Sequence, residues 1–227
     1  KNNGQNTARA LQLIDQAIDQ QPREALFHGI KGDILATQGR HGDAVRAYDA
    51  AIQRDPDYFG HYLGRGLSRD AQGQRRMARD DLARSNSLLP TPFVTYKLGG
   101  YALADGQRVE AKRLFETASQ ASGDLGTAAR EAYARLDIED APGKYVEAEP
   151  FFEKGQVVVE ISNESGYALA DIVVRVHVEI NGESAYQRLS LDRLDSGYYD
   201  VLESGIHYRA DDDVQARTRV LEAAPGW

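Results

Sequence analysis

The chain has 227 residues, is 41% hydrophobic and 27% charged, and carries a net charge of −8. That length holds two domains with separate cores, and the acidic balance argues against a nucleic-acid binder, which needs a basic face for phosphates. The absence of cysteine excludes disulfides and thiolate metal sites, and no apolar run approaches the roughly 20 residues of a membrane span.

The first element is Thr7 to Pro22, TARALQLIDQAIDQQP, with the apolar spacing of an amphipathic helix. Its Ala10, Ile14, Ala17 and Pro22 return 34 residues later as Ala44, Tyr48, Ala51 and Pro56. They return again as Ala78, Leu82, Ser85 and Pro90. The upstream half repeats too: Gly32 and Gly39 map onto Gly66 and Gly73, and a shift of 33 gives Gly99, Gly106, Ala111, Phe115 and Ala118. A fixed period of this length is the mark of a repeat architecture.

The spacing has a physical reading. Gly32, Gly66, Ala44 and Ala78 let two antiparallel helices approach closely, and the larger residue four positions after each alanine fills the groove between them. Gly39, Gly73 and Gly106 suit the turn between the helices, where a positive φ is needed. Pro56 and Pro90 stop the second helix. Two helices per 34 residues with this small-small-large-small pattern resemble the tetratricopeptide (TPR) repeat. Lys31 and Arg65 depart from the aliphatic residue usual there, and His28 and Tyr62 from the usual Trp. The resemblance makes Thr7 to Pro22 the second helix of a repeat whose first is missing, because KNNGQN is too short and polar to supply it. Lys1 is then not a natural start, and the parent protein continues upstream.

After Ser119, TAAREAYARLD predicts a terminal helix capped by Asp124 or Thr127, with Ala128, Ala132, Tyr133 and Leu136 on one face. Residues 1–140 form the solenoid in this reading, and 141–155, with two Pro and two Gly, a linker. Residues 156–227 change to period two. Ile172, Val174, Val176, Val178 and Ile180 point one way and Arg175, His177 and Glu179 the other, and Asn181-Gly182 follows as a hairpin turn. Five or six such strands predict a small antiparallel β-sandwich, similar to the immunoglobulin-like modules of bacterial envelope proteins. The fold class is thus α+β in two domains.

No catalytic constellation is present. His28, His41, His61, His177 and His207 show no H-E-x-x-H spacing, so no metal or cofactor is expected. His28 reads as a repeat residue and His177 as a solvent-facing strand residue. Asp211-Asp212-Asp213 lacks the glycine turn and distal Glu of a calcium loop and reads as a solvated loop. Asn163-Glu164-Ser165 reads as a turn. The TPR resemblance places a peptide-binding concave groove on Leu26, Gly29, Asp33, Thr37, Leu63, Leu67, Asp70, Phe93, Tyr96 and Leu103. This surface is apolar with two carboxylates and lacks the Lys and Asn clamp for a terminal carboxylate. It suits an apolar or basic segment of a protein partner rather than nucleic acid.

Residues 47–107, AYDAAIQRDP to ALADGQ, followed by a strand domain, also resemble the non-catalytic C-terminal half of bacterial envelope zinc metallopeptidases with TPR repeats. That resemblance implies a periplasmic docking or regulatory region beside an upstream peptidase domain of the same chain. The alternatives are a stand-alone scaffold for envelope complexes, and a cytoplasmic location.

Overall fold

The repeat period sets where the helices begin. The computed structural model describes residues 3–226 and opens with α1 (Asn3–Gln20). Three helix pairs follow: α2 (Ala25–Thr37) with α3 (His41–Arg54), α4 (Phe59–Ala71) with α5 (Arg75–Leu88), and α6 (Pro92–Ala104) with α7 (Arg108–Ala118). Their first residues fall 34 and then 33 positions apart, as the sequence shifts require. The turn glycines Gly39, Gly73 and Gly106 have φ of +71°, +72° and +75°. In the first turn Gly39 N–H bonds to Ala36 O and Arg40 N–H to Leu35 O, which satisfies carbonyls left open at the helix end. Thr91 caps α6 by accepting from Val94 N–H, with Pro92 at the first helical position.

Within each pair one contact recurs. A Cβ on Gly32 would lie 2.7 Å from the Tyr48 ring, one on Gly66 3.1 Å from Leu82 Cγ, and one on Gly99 2.7 Å from the Phe115 ring. Ala44, Ala78 and Ala111 are fully buried beside them. Only glycine lets the large side chain of the second helix seat against the backbone of the first.

The departures at Lys31 and Arg65 are repaid by charge. Lys31 Nζ lies 2.7 Å from Asp15, and Arg65 Nη1 lies 2.7 Å from Asp49, the same pairing one repeat on. Arg65 also bridges Asp81 with both Nε (2.9 Å) and Nη2 (2.6 Å), and Arg69 adds a bond of 2.7 Å. Asp81 is only 4% exposed, so two guanidiniums compensate one buried carboxylate.

α8 (Gly123–Asp140) ends where the sequence predicts, but its residues divide differently. The two compact units meet in sequence at Arg130 and Glu131. Ala134 and Ile138 belong to the core of the second unit, because the helix changes its buried face along its length. Thr127 lies inside the helix, its hydroxyl bonded back to Gly123 O, rather than capping it.

The second unit holds β1 (Glu147–Glu153), β2 (Gln156–Asn163), β3 (Leu169–Ile180), β4 (Glu183–Leu194), β5 (Tyr198–His207) and β6 (Val214–Pro225). The pairing is antiparallel, in the orders β1-β2-β5 and β4-β3-β6. β1 corrects the linker expected over 141–155: Glu147–Glu153 pairs along its length with β2. Its Pro150 hid it, and Pro is tolerated there because β1 lies at a sheet edge. Val157, Val159 and Ile161 of one sheet share a core with Ile172, Val174, Val176 and Val178 of the other. Asn181 (φ +52°) and Gly182 (φ +85°) make the β3–β4 turn.

Two adjacent glycines give a test of the packing contact. A Cβ at Gly100 meets nothing within 4 Å, so Gly100→Ala should stabilise the solenoid by about 0.5–1 kcal/mol. Gly99→Ala, which collides with Phe115, should destabilise it by about 1–3 kcal/mol. Denaturant titration of each variant reads the sign directly. Asp81→Ala leaves two half-buried guanidiniums without their shared partner and should cost about 3–5 kcal/mol in the same assay.

Candidate functional site

The first helices of neighbouring repeats, α2 and α4, bound a groove of about 480 Å³. α2 contributes Leu26, Gly29, Ile30, Asp33 and Thr37, and α4 contributes His61, Leu63, Gly64, Leu67 and Ser68, with Tyr58 just before it. Five of the residues predicted from the repeat pattern therefore come together here: Leu26, Asp33, Thr37, Leu63 and Leu67, with Gly29 beside them. Asp70 and Tyr96 line a second hollow of about 310 Å³ with Arg75, Lys97, Gly100, Tyr101 and Phe115. Phe93 and Leu103 line neither hollow and are 41% and 38% exposed.

Glycines shape the groove wall. A Cβ on Gly64 would fall 2.3 Å from Tyr48 Cζ, and one on Gly29 2.7 Å from His61 Cε1. Tyr48 of α3 thereby reaches between α2 and α4, and its hydroxyl donates to Asp33 Oδ1 at 2.6 Å. Burial and that hydrogen bond push the Tyr48 pKa well above its ordinary value. The sequence marked Tyr48 as packing; its role in orienting Asp33 carried no signal, because the two residues lie 15 positions apart on different helices.

The groove's electrostatics are one-sided. Among the described residues that line it, Asp33 is the one carboxylate and none is Lys or Arg. His61 is 3% exposed, and burial depresses its pKa despite the raising influence of Asp55 and Asp33. It is therefore neutral at neutral pH. Its ring packs edge-on against Tyr58, with centroids 4.7 Å apart. Ser68, 1% exposed, has no hydrogen-bond partner for Oγ, and His41 has none for Nδ1. Both residues line the groove. Buried polar atoms are normally paired, and these two are unpaired behind the groove wall, closed off from its surface.

The second hollow differs because its charge is already matched. Burial works to raise the Asp70 pKa, but Lys97 Nζ at 2.9 Å and the Tyr101 hydroxyl outweigh it, and the carboxyl sits below its ordinary value. Arg75 stacks over the Tyr101 ring at 5.1 Å. Elsewhere, His28 Nε2 contacts Pro22 O at 3.1 Å and lies outside the groove. His177 stacks on Tyr186 on the outer face of its sheet. The Asn163 amide is buried and donates to Tyr167 O and Leu194 O. Asp212 receives Arg209 N–H and Asn181 Nδ2–H in its loop.

Two outcomes follow from these groups. Tyr48→Phe removes a hydrogen bond to a charged acceptor and should cost about 1.5–3 kcal/mol in thermal or denaturant unfolding. His61 binds its proton less readily folded than unfolded, so the unfolded state takes up more protons as pH falls through the ordinary value of 6.5. Stability should therefore decline as pH drops below that value, and His61→Gln should flatten the decline. Melting curves from neutral to mildly acidic pH measure the slope.

Residues 3–59 match a tetratricopeptide repeat family model, and no curated protein matches the chain. Among solved structures, MamA is 17% identical with a TM-score of 0.52, over 63% of this chain and 82% of that one. A further MamA structure is 16% identical with a TM-score of 0.51, over 60% and 75%. YrrB, described as a TPR protein with an unusual peptide-binding site, is 19% identical with a TM-score of 0.50, over 55% and 64%. At this level of identity the likeness concerns fold alone. Together with the helix pairing and the recurrent glycine contacts, it makes the helical unit a TPR-like solenoid.

Proposed function

We propose that the α2–α4 groove binds an extended polypeptide segment with apolar anchors and a basic side chain, making the chain a non-catalytic protein-binding scaffold. The observation that carries this reading is the composition of the groove wall. Among the described residues that line it, Leu26, Leu63 and Leu67 offer apolar surface and Asp33 is the single charge. Extended peptides meet such surfaces with alternate side chains in pockets. A lysine or arginine beside Asp33 completes the charge balance. YrrB, described as having an unusual peptide-binding site, accords with this reading.

A narrower reading is that the bound segments are clients of an envelope zinc metallopeptidase, in the periplasm, with the peptidase domain upstream in the same chain. Its support is the sequence resemblance of residues 47–107. An assembly scaffold with no associated peptidase is the alternative, and the groove chemistry serves both. An immunoglobulin-like identity for the strand unit belongs to the same proposal, supported by two antiparallel sheets on one core.

Calorimetric titration with a peptide alternating leucine and lysine tests the groove. Leu63→Asp should abolish binding, whereas unchanged affinity would overturn the assignment. Asp33→Asn should weaken the leucine–lysine peptide about tenfold, or about 1.4 kcal/mol, and leave a leucine–glutamine peptide unaffected.

A further inference from the structure

The turn between β3 and β4 holds a reactive pair of residues that the fold restrains. Ile180 pairs with Glu183, so Asn181 and Gly182 alone make the reversal, with φ of +52° and +85°. Both are exposed. Asparagine followed by glycine is the pairing in which a backbone nitrogen most readily attacks a side-chain amide, because glycine has no Cβ to screen that nitrogen. The chain has two such pairs, Asn3-Gly4 and Asn181-Gly182.

The Asn181 amide is clasped from across the turn. Its Nδ2 donates to Asp212 Oδ1 at 2.8 Å, and its Oδ1 accepts from Asp213 N–H at 2.9 Å. The main chain repeats the link, with Asn181 N–H donating to Asp213 O at 2.9 Å. Asp212 is fixed in turn, because its Oδ2 accepts from Arg209 N–H at 2.7 Å. That bond first, and the Asn181 amide second, hold the Asp212 carboxyl below its ordinary range, so it accepts as a carboxylate. Three hydrogen bonds thus tie the β3–β4 turn to the segment 208–213 that joins β5 to β6. Attack by Gly182 draws the amide carbon onto the Gly182 nitrogen and out of reach of Asp212 and Asp213.

We infer that Asn181 is a latent modification site, guarded by Asp212 and Asp213, whose deamidation releases the segment 208–213. Gly182 N–H loses its proton to a solvent base, and the nitrogen attacks Asn181 Cγ. The Cγ–Nδ2 bond breaks, and ammonia leaves with a proton taken from water. Water then opens the cyclic imide at either carbonyl, giving aspartate or isoaspartate. Neither product rebuilds the clasp. Aspartate replaces the Nδ2 donor with a carboxylate facing Asp212, in a loop that already holds Asp211, Asp212 and Asp213, and like charges this close repel. Isoaspartate adds a main-chain atom to a two-residue turn whose register Ile180 and Glu183 fix.

Peptide mapping of the full chain by mass spectrometry, after incubation in mildly alkaline buffer, tests this. Asp212→Ala should speed deamidation at Asn181 about tenfold or more, as loss of a hydrogen bond to a charged group implies. Asp212→Asn, which keeps one acceptor and the size of the side chain, should fall between that variant and the wild type. Asp211→Ala leaves the clasp whole and should change nothing. The Asn3-Gly4 pair, read in the same map, should deamidate at one rate in every variant. Asn181→Asp carries the side chain of one product and should speed trypsin cleavage after Arg209. Equal rates at Asn181 in the wild type and Asp212→Ala overturn the proposal, as does an acceleration that Asn3-Gly4 shares. Cleavage after Arg209 no faster in Asn181→Asp than in the wild type also overturns it.

Discussion

The solenoid depends on one contact made three times, a large side chain on the second helix seated against a glycine of the first. Tyr48 meets Gly32, Leu82 meets Gly66 and Phe115 meets Gly99. The pairs lie 16 residues apart, so the chain folds each hairpin from its own sequence. Every other feature of the helical unit follows from the close helix spacing that this contact permits. A turn with positive φ must reverse the chain quickly, and Gly39, Gly73 and Gly106 provide it. A proline must follow the second helix before the next repeat begins.

The same spacing creates the groove. Because Gly64 also yields to the Tyr48 ring, that side chain extends past its own hairpin and holds Asp33 from the neighbouring repeat's side. A structural residue thus fixes the carboxylate of the groove. The ion pairs of Lys31 with Asp15 and of Arg65 with Asp49 join one repeat to the next, where an apolar solenoid would use aliphatic contacts. The Lys31–Asp15 pair is largely exposed, and exposed pairs add little to net stability.

The helical architecture was legible because a 34-residue period makes each position a repeated observation. Gly32, Gly66 and Gly99 identify one another, and the helix starts follow. Lys31 and Arg65 were legible as departures but not as partners, since Asp49 and Asp81 lie 16 residues away on other helices. The groove was half legible. Leu26, Asp33, Thr37, Leu63 and Leu67 meet, while Phe93 and Leu103 do not, because the third repeat fills its wall with Tyr101 and Lys97 against Asp70. Tyr58, His61 and Ser68 were missed: a histidine buried against Gly29 and a partnerless serine differ from surface residues only once helices are placed. In the strand unit, alternation found the β3 core and the Asn181-Gly182 turn. Pro150 concealed β1, because a proline argues against a strand until its place at the sheet edge is known.

The most direct measurement is an amide proton–nitrogen NMR titration of the full chain with a leucine–lysine peptide. The account predicts shifts concentrated at Gly29, Asp33, Gly64 and Ser68, with the amides of the strand unit unmoved. Saturable shifts confined to residues outside α2 and α4, or none at all, would contradict the groove as the binding site.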